Sequence, residues 1–343
     1  ACWDIRSWEK DTLASLVTIK MINGYIPVYT EEDKYDDRIL CTEKSDRKKL
    51  EAVEQINIGD PKTFTHLAAK ALNWDREGET WKGIDAIGVL KADVDDLGLL
   101  MSCGLKPERF TVSRLATLSR QLNAFFACYL PHRLNGDERF RDIYTVFGGG
   151  DDLFIVGPWN RMLGLAKELA DDFNRYCCEN PNIHLSAGVF FCKPNTPLDT
   201  MATEADRALD SAKNGEKNQV NVFGETVPWS EMQALTDVGE KMQDWYETGL
   251  VTRSMLYKLN ELIHMASREK QVLNRTEIFL KDMHFSKWRA LLAYFAERNV
   301  AKSLSKEERK EKVRHVSGLL AQWLEHYGGK LKIPLWDILY NTR

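Results

Sequence analysis

Between Gly83 and Phe223 short apolar runs alternate with stretches in which apolar residues recur every three or four positions. Ile84-Asp85-Ala86-Ile87-Gly88-Val89-Leu90 is of strand length and leads into the acidic cluster Asp93-Val94-Asp95-Asp96. Val112 to Leu130 sets Leu115, Leu118, Leu122, Phe125, Phe126 and Tyr129 on one stripe, which predicts a core-facing helix. Tyr144 to Phe147 and Leu153 to Val156 flank Gly148-Gly149-Gly150-Asp151-Asp152, the form of two antiparallel strands around a glycine-rich turn. Met162, Leu165, Ala166, Leu169, Phe173 and Tyr176 predict a second helix. A strand over His184 to Phe191, a third helix over Met201 to Lys213 and a last strand over Gln219 to Phe223 complete the series.

The core of this order is βαββαβ, an α+β arrangement of the ferredoxin-like palm type: a mostly antiparallel sheet with helices packed on one face. After Val227-Pro228-Trp229 strand signals nearly stop. Leu250 to Met265, Lys281 to Glu297 and Lys306 to Tyr327 read as amphipathic helices, the last opened by Ser305 and Glu308 in a capping-box arrangement. Residues 1–80, polar and acidic with lysines from Glu31 to Glu54, read as an irregular, partly helical connecting segment at the end of a preceding domain. The expected division is therefore 1–80, a palm over 81–228 and an all-α helical domain over 229–343.

Composition narrows the class. A chain of 343 residues, 43% hydrophobic and 29% charged, can bury a sizeable core, and no apolar run approaches bilayer length, so no membrane partner is expected. Ala1-Cys2-Trp3-Asp4 has neither a basic leader nor an initiator Met, so the start reads as a cut in a longer polypeptide. The seven cysteines, Cys2 among them, show no CxxC spacing, which favours a reducing cytoplasm over a disulfide framework. Net charge is −4, but residues 225–343 carry 19 Lys plus Arg against 16 Asp plus Glu. A solvated helical surface accounts for an imbalance of that size.

The chemistry lies in the acids. Asp93 falls at a strand end and Asp151 and Asp152 at a hairpin tip that the palm topology sets beside it. Converging carboxylates are unfavourable without a cation, and hard oxygen ligands select Mg²⁺ or Mn²⁺. Two such ions clamp a triphosphate and activate an attacking hydroxyl. Gly148 to Gly150 would permit positive φ and let the backbone approach phosphates. Each motif alone reads as an ordinary turn or strand terminus. Their joint occurrence about sixty residues apart, in an order that unites them, favours the site. Asp95 and Asp96 are weaker candidates, because adjacent side chains diverge. Lys213 and Lys217 close the third helix, where lysines ordinarily complement the helix dipole. In a palm, Lys213 would reach back over the sheet to phosphate.

Gly83 through Gly98, then Ser113-Arg114-Leu115-Ala116-Thr117-Leu118-Ser119-Arg120, Phe147 through Trp159, Ser186-Ala187-Gly188-Val189 and Ala212 through Asn218 together resemble the second palm domain of the large subunit of type III-A CRISPR effector complexes. The resemblance spans about residues 80–229; it is related to the GGDEF-like palm and extends more loosely into the helical part. It implies a nucleotidyltransferase that joins ATP head to tail into cyclic oligoadenylates, switched on when a complex of subunits and guide RNA binds target RNA. Carried onto this chain, it makes Asp93 and Asp151 metal ligands, with Asp152 beside them and the Val94 carbonyl a further ligand. Gly149, Gly150, Lys213 and Lys217 would serve the nucleotide. The family's HD nuclease has no counterpart, since no His-Asp doublet occurs. With one hairpin acid motif, the chain would also lack the first palm and half of a pocket shared between palms.

Two alternatives compete. A diguanylate cyclase would read guanine with polar groups, yet counting along from Asp93 puts Met101 and Phe110 at those places. A scaffold would bind RNA and neighbouring subunits without catalysis; Lys287 to Arg314 carries nine Lys or Arg against four Glu.

Overall fold

The computed structural model describes residues 24–42, 53, 54, 56–75, 78–302 and 304–343, and the expectations for the cut start and Cys2 lie outside them. The described part of the Glu31–Glu54 segment holds a 3-10 turn, Glu31–Tyr35, and helix α1, Arg38–Thr42. A second helix, α2 (Phe64–Ala69), is capped by the Thr63 hydroxyl, which accepts from His66 N–H. A hairpin of β1 (Asn73–Asp75) and β2 (Thr80–Lys82) follows, which the hydrophobic pattern did not signal. These pieces are joined by buried charge: Lys62 lies 2.9 Å from Asp33 and 2.7 Å from Asp142, and Lys70 2.6 Å from Asp33. Burying such ions is tolerated because each finds an opposite partner.

The palm begins with β3 (Ile87–Val94), followed by α3 (Leu97–Cys103), α4 (Val112–Ala124), a π-helical turn at Phe125–Tyr129 and α5 (Leu130–Gly136). Strands β4 (Tyr144–Gly149) and β5 (Asp152–Pro158) form the hairpin. Then come α6 (Trp159–Tyr176), β6 (Leu185–Cys192), α7 (Leu198–Lys213), β7 (Gln219–Val222) and β8 (Glu225–Pro228). The sheet order is β4-β5-β3-β6-β7-β8, antiparallel except for β6 with β7. The fold is α+β, with β3 central and buried on both faces.

One expectation needs correction: helices cover both faces of the sheet. Leu90, Ala92 and Val94 pack with Leu122, Phe125, Phe126, Met162 and Leu165 on one face. Ile87, Val89 and Phe154 pack with Leu67, Met201 and Ala205 on the other. The third helix, α7, crosses to that second face because Gly188 admits it; a Cβ there would stand 2.2 Å from Leu209 N. The predicted helix over Val112 to Leu130 is present, continued to Gly136 with the π turn as a bulge inside it, but its early stripe is not core. Leu115 and Leu118 are only half-buried and Val112 is 84% exposed, whereas Leu122, Phe125 and Phe126 are buried.

After Pro228 the chain is helical: α8 (Trp229–Glu247), α9 (Arg253–Leu273), a 3-10 segment Leu280–Lys287, α10 (Trp288–Asn299), α11 (Lys306–Tyr327) and α12 (Lys332–Asn341). Helices α8 and α12 went unanticipated, and the stretch from Lys281 to Glu297 is not one helix. Ser305 donates to the Glu308 carboxylate at 2.6 Å and makes no cap to the backbone, so the expected capping box is a side-chain pair. Met255, Leu262, Trp288 and Val316 centre a second core, each contributing roughly 1.5–3 kcal/mol by burial. Helix α12 touches both cores: Leu335 and Ile338 pack in the second, Ile333 in the palm's. Trp336 Nε1 donates to Asn260 Oδ1 at 2.8 Å.

Candidate functional site

The end of β3 and the β4–β5 turn meet by strand register. Asp93 is the Cα partner of Asp152 on β5 and of Ser186 on β6. Cross-strand partners hold their Cβ atoms about 4.5–5.5 Å apart on one face, so the Asp93 and Asp152 carboxyls are neighbours. Asp151 occupies the turn, and its carbonyl accepts Val94 N–H at 3.1 Å, tying the hairpin tip to the strand end. Of the three glycines only Gly150 has positive φ, +70°. Gly148 and Gly149 are ordinary strand residues of β4, which corrects the expectation of positive φ throughout. Gly150 N–H donates to Asn123 Oδ1 at 2.9 Å, so α4 braces the turn through a residue that the sequence did not single out.

Burial of the Asp152 carboxyl pushes its pKa up; Lys91 opposes the shift, and Asp151 and Asp206 add to it. Its Oδ1 is buried without a hydrogen-bond partner. Lys213, the last residue of α7, donates to Asp93 Oδ2. Burial lowers the pKa of this lysine, and the like charges of Lys217 and Lys91 lower it further. Lys217 pairs with Asp96 at 2.5 Å, and Lys91 pairs with Asp206 of α7.

Asp95, a weak candidate by sequence, is the most enclosed acid here, 2% exposed. Its Oδ2 lies 2.7 Å from His184 Nδ1 and accepts from Ser186 Oγ at 2.9 Å and Asn218 N–H at 3.0 Å. His184 and Asn218 carry no sequence signal for this, since only the fold joins positions about ninety and a hundred and twenty residues from Asp95.

Among the described residues no group of three His, Cys, Asp or Glu side chains stands ready to hold an ion. Asp93 is engaged by Lys213. The donor set nonetheless fits a hard divalent cation: carboxylate oxygens on adjacent strands, one of them the orphaned Oδ1 of Asp152. An orphaned buried carboxylate oxygen is costly, and a cation would satisfy it.

Residues 86–221 match the family model described as Cas10/Cmr2, second palm domain. The chain is 36% identical over 187 residues to a protein of Methanocaldococcus jannaschii named CRISPR system single-strand-specific deoxyribonuclease Cas10/Csm1 (subtype III-A), covering 48% of this chain and 22% of that protein. A protein of the same name from Enterococcus italicus is 34% identical over 189 residues, covering 53% and 24% respectively. The matched part is thus about a quarter of those relatives' length. Among solved structures, a Csm1-Csm4 cassette in complex with cA4 aligns with a TM-score of 0.58 at 23% identity, over 83% of this chain and 39% of the other. A cassette in complex with AMPPNP aligns with a TM-score of 0.57 at 23% identity, over 83% and 38%. At that identity the likeness concerns the fold.

Proposed function

We propose, from the premise that residues 86–221 belong to the Cas10/Cmr2 second-palm family, that this chain carries the nucleotidyl-transfer half-site of a type III CRISPR large subunit and joins ATP into cyclic oligoadenylates. The observation that carries the proposal is the cross-strand pair Asp93–Asp152 at the end of β3, with Lys213 reaching over it from α7. The cA4 and AMPPNP in complexes of the similar cassettes support adenine nucleotides as the substrate class.

In this reading Asp93, Asp151, Asp152 and the Val94 carbonyl hold one or two Mg²⁺ or Mn²⁺ ions. When bound, the metal lowers the pKa of a ribose hydroxyl and offsets charge on the α-phosphate and leaving pyrophosphate. Lys213 exchanges Asp93 for a phosphate oxygen, and Lys217 supplies a second cation nearby. Gly149 and Gly150 leave backbone without side chains along the phosphate path. No strong general base is required of the chain. The other subunits, guide RNA and target RNA belong to this proposal as the switch, and a first palm as the other wall of the pocket.

GTP use by a diguanylate-cyclase route finds less support, since Met101 is half-buried and packs toward the core and Phe110 offers no hydrogen bond. The scaffold reading loses part of its basic surface to internal pairing: Arg289 bonds Glu269 and Glu325, and Arg309 bonds backbone carbonyls. The test is incubation with radiolabelled ATP or GTP and Mn²⁺, of the chain alone and rebuilt into a guide- and target-loaded complex. Cyclic oligoadenylates from the complex are expected. A cyclic dinucleotide from GTP with the chain alone, or no product in either setting, would overturn the proposal.

A further inference from the structure

Three acids at and just after the end of β3 each engage the last residue of α7 or the segment that follows it. Asp93 takes Lys213, Asp96 takes Lys217, and between them Asp95 accepts the backbone N–H of Asn218 at 3.0 Å. The segment is strained. Lys217 and Asn218 stand at φ of +57° and +51°, a left-handed conformation that asparagine tolerates but lysine avoids, after Gly215 at +128°. Two consecutive residues of this kind persist only where the surroundings over-determine them, and the Asp95 carboxylate is such a surrounding. It is 2% exposed and fixed by His184 and Ser186 through the same oxygen that holds Asn218. Charged acceptors make the stronger hydrogen bonds, and burial removes competing water.

We infer that Asp95 is a positioning residue: it does not touch nucleotide, but holds the loop 214–218 so that Lys217 stays on Asp96, next to Lys213 at the end of β3. The inference rests on the nucleotidyl-transfer reading for its consequence in catalysis, while its structural content stands apart from it. Loss of the anchor frees the loop to leave its left-handed turn, which withdraws a phosphate-binding cation but leaves Asp93, Asp151 and Asp152 in their strands. The signature is therefore on substrate binding rather than on turnover.

The test uses Asp95→Asn, which preserves size and weakens acceptance of three donors. In the rebuilt complex, KM for ATP is expected to rise about tenfold with kcat within about threefold of wild type, the ratio a lost charge-assisted contact produces. Lys217→Ala should raise KM similarly, and the double variant should be little worse than either, because both remove the same contact. Independently of nucleotide, amide hydrogen exchange over 214–218 in the chain itself should quicken in Asp95→Asn while β3 and β6 stay protected. If Asp95→Asn does not fold, Ser186→Ala weakens the same oxygen's network and should raise KM about two- to threefold, as loss of one hydrogen bond would. An unchanged exchange rate over 214–218, a wild-type KM, or KM effects that multiply in the double variant would overturn the inference. Quickened exchange in a complex that makes no oligoadenylate would instead uphold the anchor and refute the function reading.

Discussion

Lys213 donates a hydrogen bond to Oδ2 of Asp93, so the last residue of α7 neutralises the acid at the end of β3. The pair links two elements that pack on each other only because α7 lies on the same sheet face as Asp93. In the proposed site, the lysine and an incoming cation would compete for one carboxylate.

Removing that competitor separates two roles. Lys213→Met should raise KM for ATP at least about tenfold through loss of a phosphate contact. The Mn²⁺ concentration for half-maximal synthesis should stay level or fall, as Asp93 is left unpaired. A Mn²⁺ titration of product formation at saturating and limiting ATP reads both numbers.

The hairpin acids should be dispensable for folding. Asp151→Ala with Asp152→Ala is expected to abolish synthesis in the assembled complex while the thermal melt stays level or rises. Asp152 carries a buried unpartnered oxygen and a carboxyl whose pKa burial pushes up, so its charge costs stability at neutral pH. Retained synthesis in that variant would refute the site.

The ionic knot before the palm is a stability element. Lys62 and Asp33 have side chains 5% and 4% exposed. Lys62→Ala removes one of the two cations on Asp33 and the one on Asp142 but leaves Lys70 on Asp33, and should cost about 1.5–3 kcal/mol in urea unfolding at pH 7, the worth of a hydrogen bond to a charged group. Burial pushes the Asp33 carboxyl up, but hydrogen bonds from Lys70, Thr30 and Lys62 outweigh it and hold the group well below the usual range. A depressed native pKa gives stability that is present above the unfolded value near 4 and lost as pH falls below it. Wild type and Lys62→Ala should therefore converge in stability as the medium becomes strongly acid.

Asp337 in α12 works with the opposite sign. Burial pushes its pKa up to about 6, opposed in part by the Asn341 side chain. The native state then holds a proton that the unfolded chain has released, so stability declines as pH rises from about 4 to 6. Asp337→Asn should raise the melting temperature by a few degrees at pH 7.5 and leave it nearly unchanged at pH 4. Equal shifts at both pH values would show that ionisation of Asp337 is not the cause.

The palm's element order was legible because each strand and helix carries its own period, two or 3.6, and because Gly-Gly-Gly-Asp-Asp marks a turn by composition. Asp93 and the hairpin acids could be read for the same reason: both sit at element ends, where polar residues interrupt apolar runs. Helix α12 could not be read, since Ile333, Leu335, Ile338 and Leu339 divide their burial between two cores and present no single stripe. The opposite failure occurred in α4, where Leu115 and Leu118 keep helical spacing but are only half-buried.

Sequence alone thus determined the main strands and helices of the palm and which acids stand at their ends, because those are local consequences of side-chain spacing and turn chemistry. Tertiary structure decided the rest. The crossing of α7 to the second face, the seat of Lys213 on Asp93 and the burial of Asp95 among His184, Ser186 and Asn218 depend on strand register and helix packing. Those contacts join residues 89 to 123 positions apart, and no local pattern encodes them.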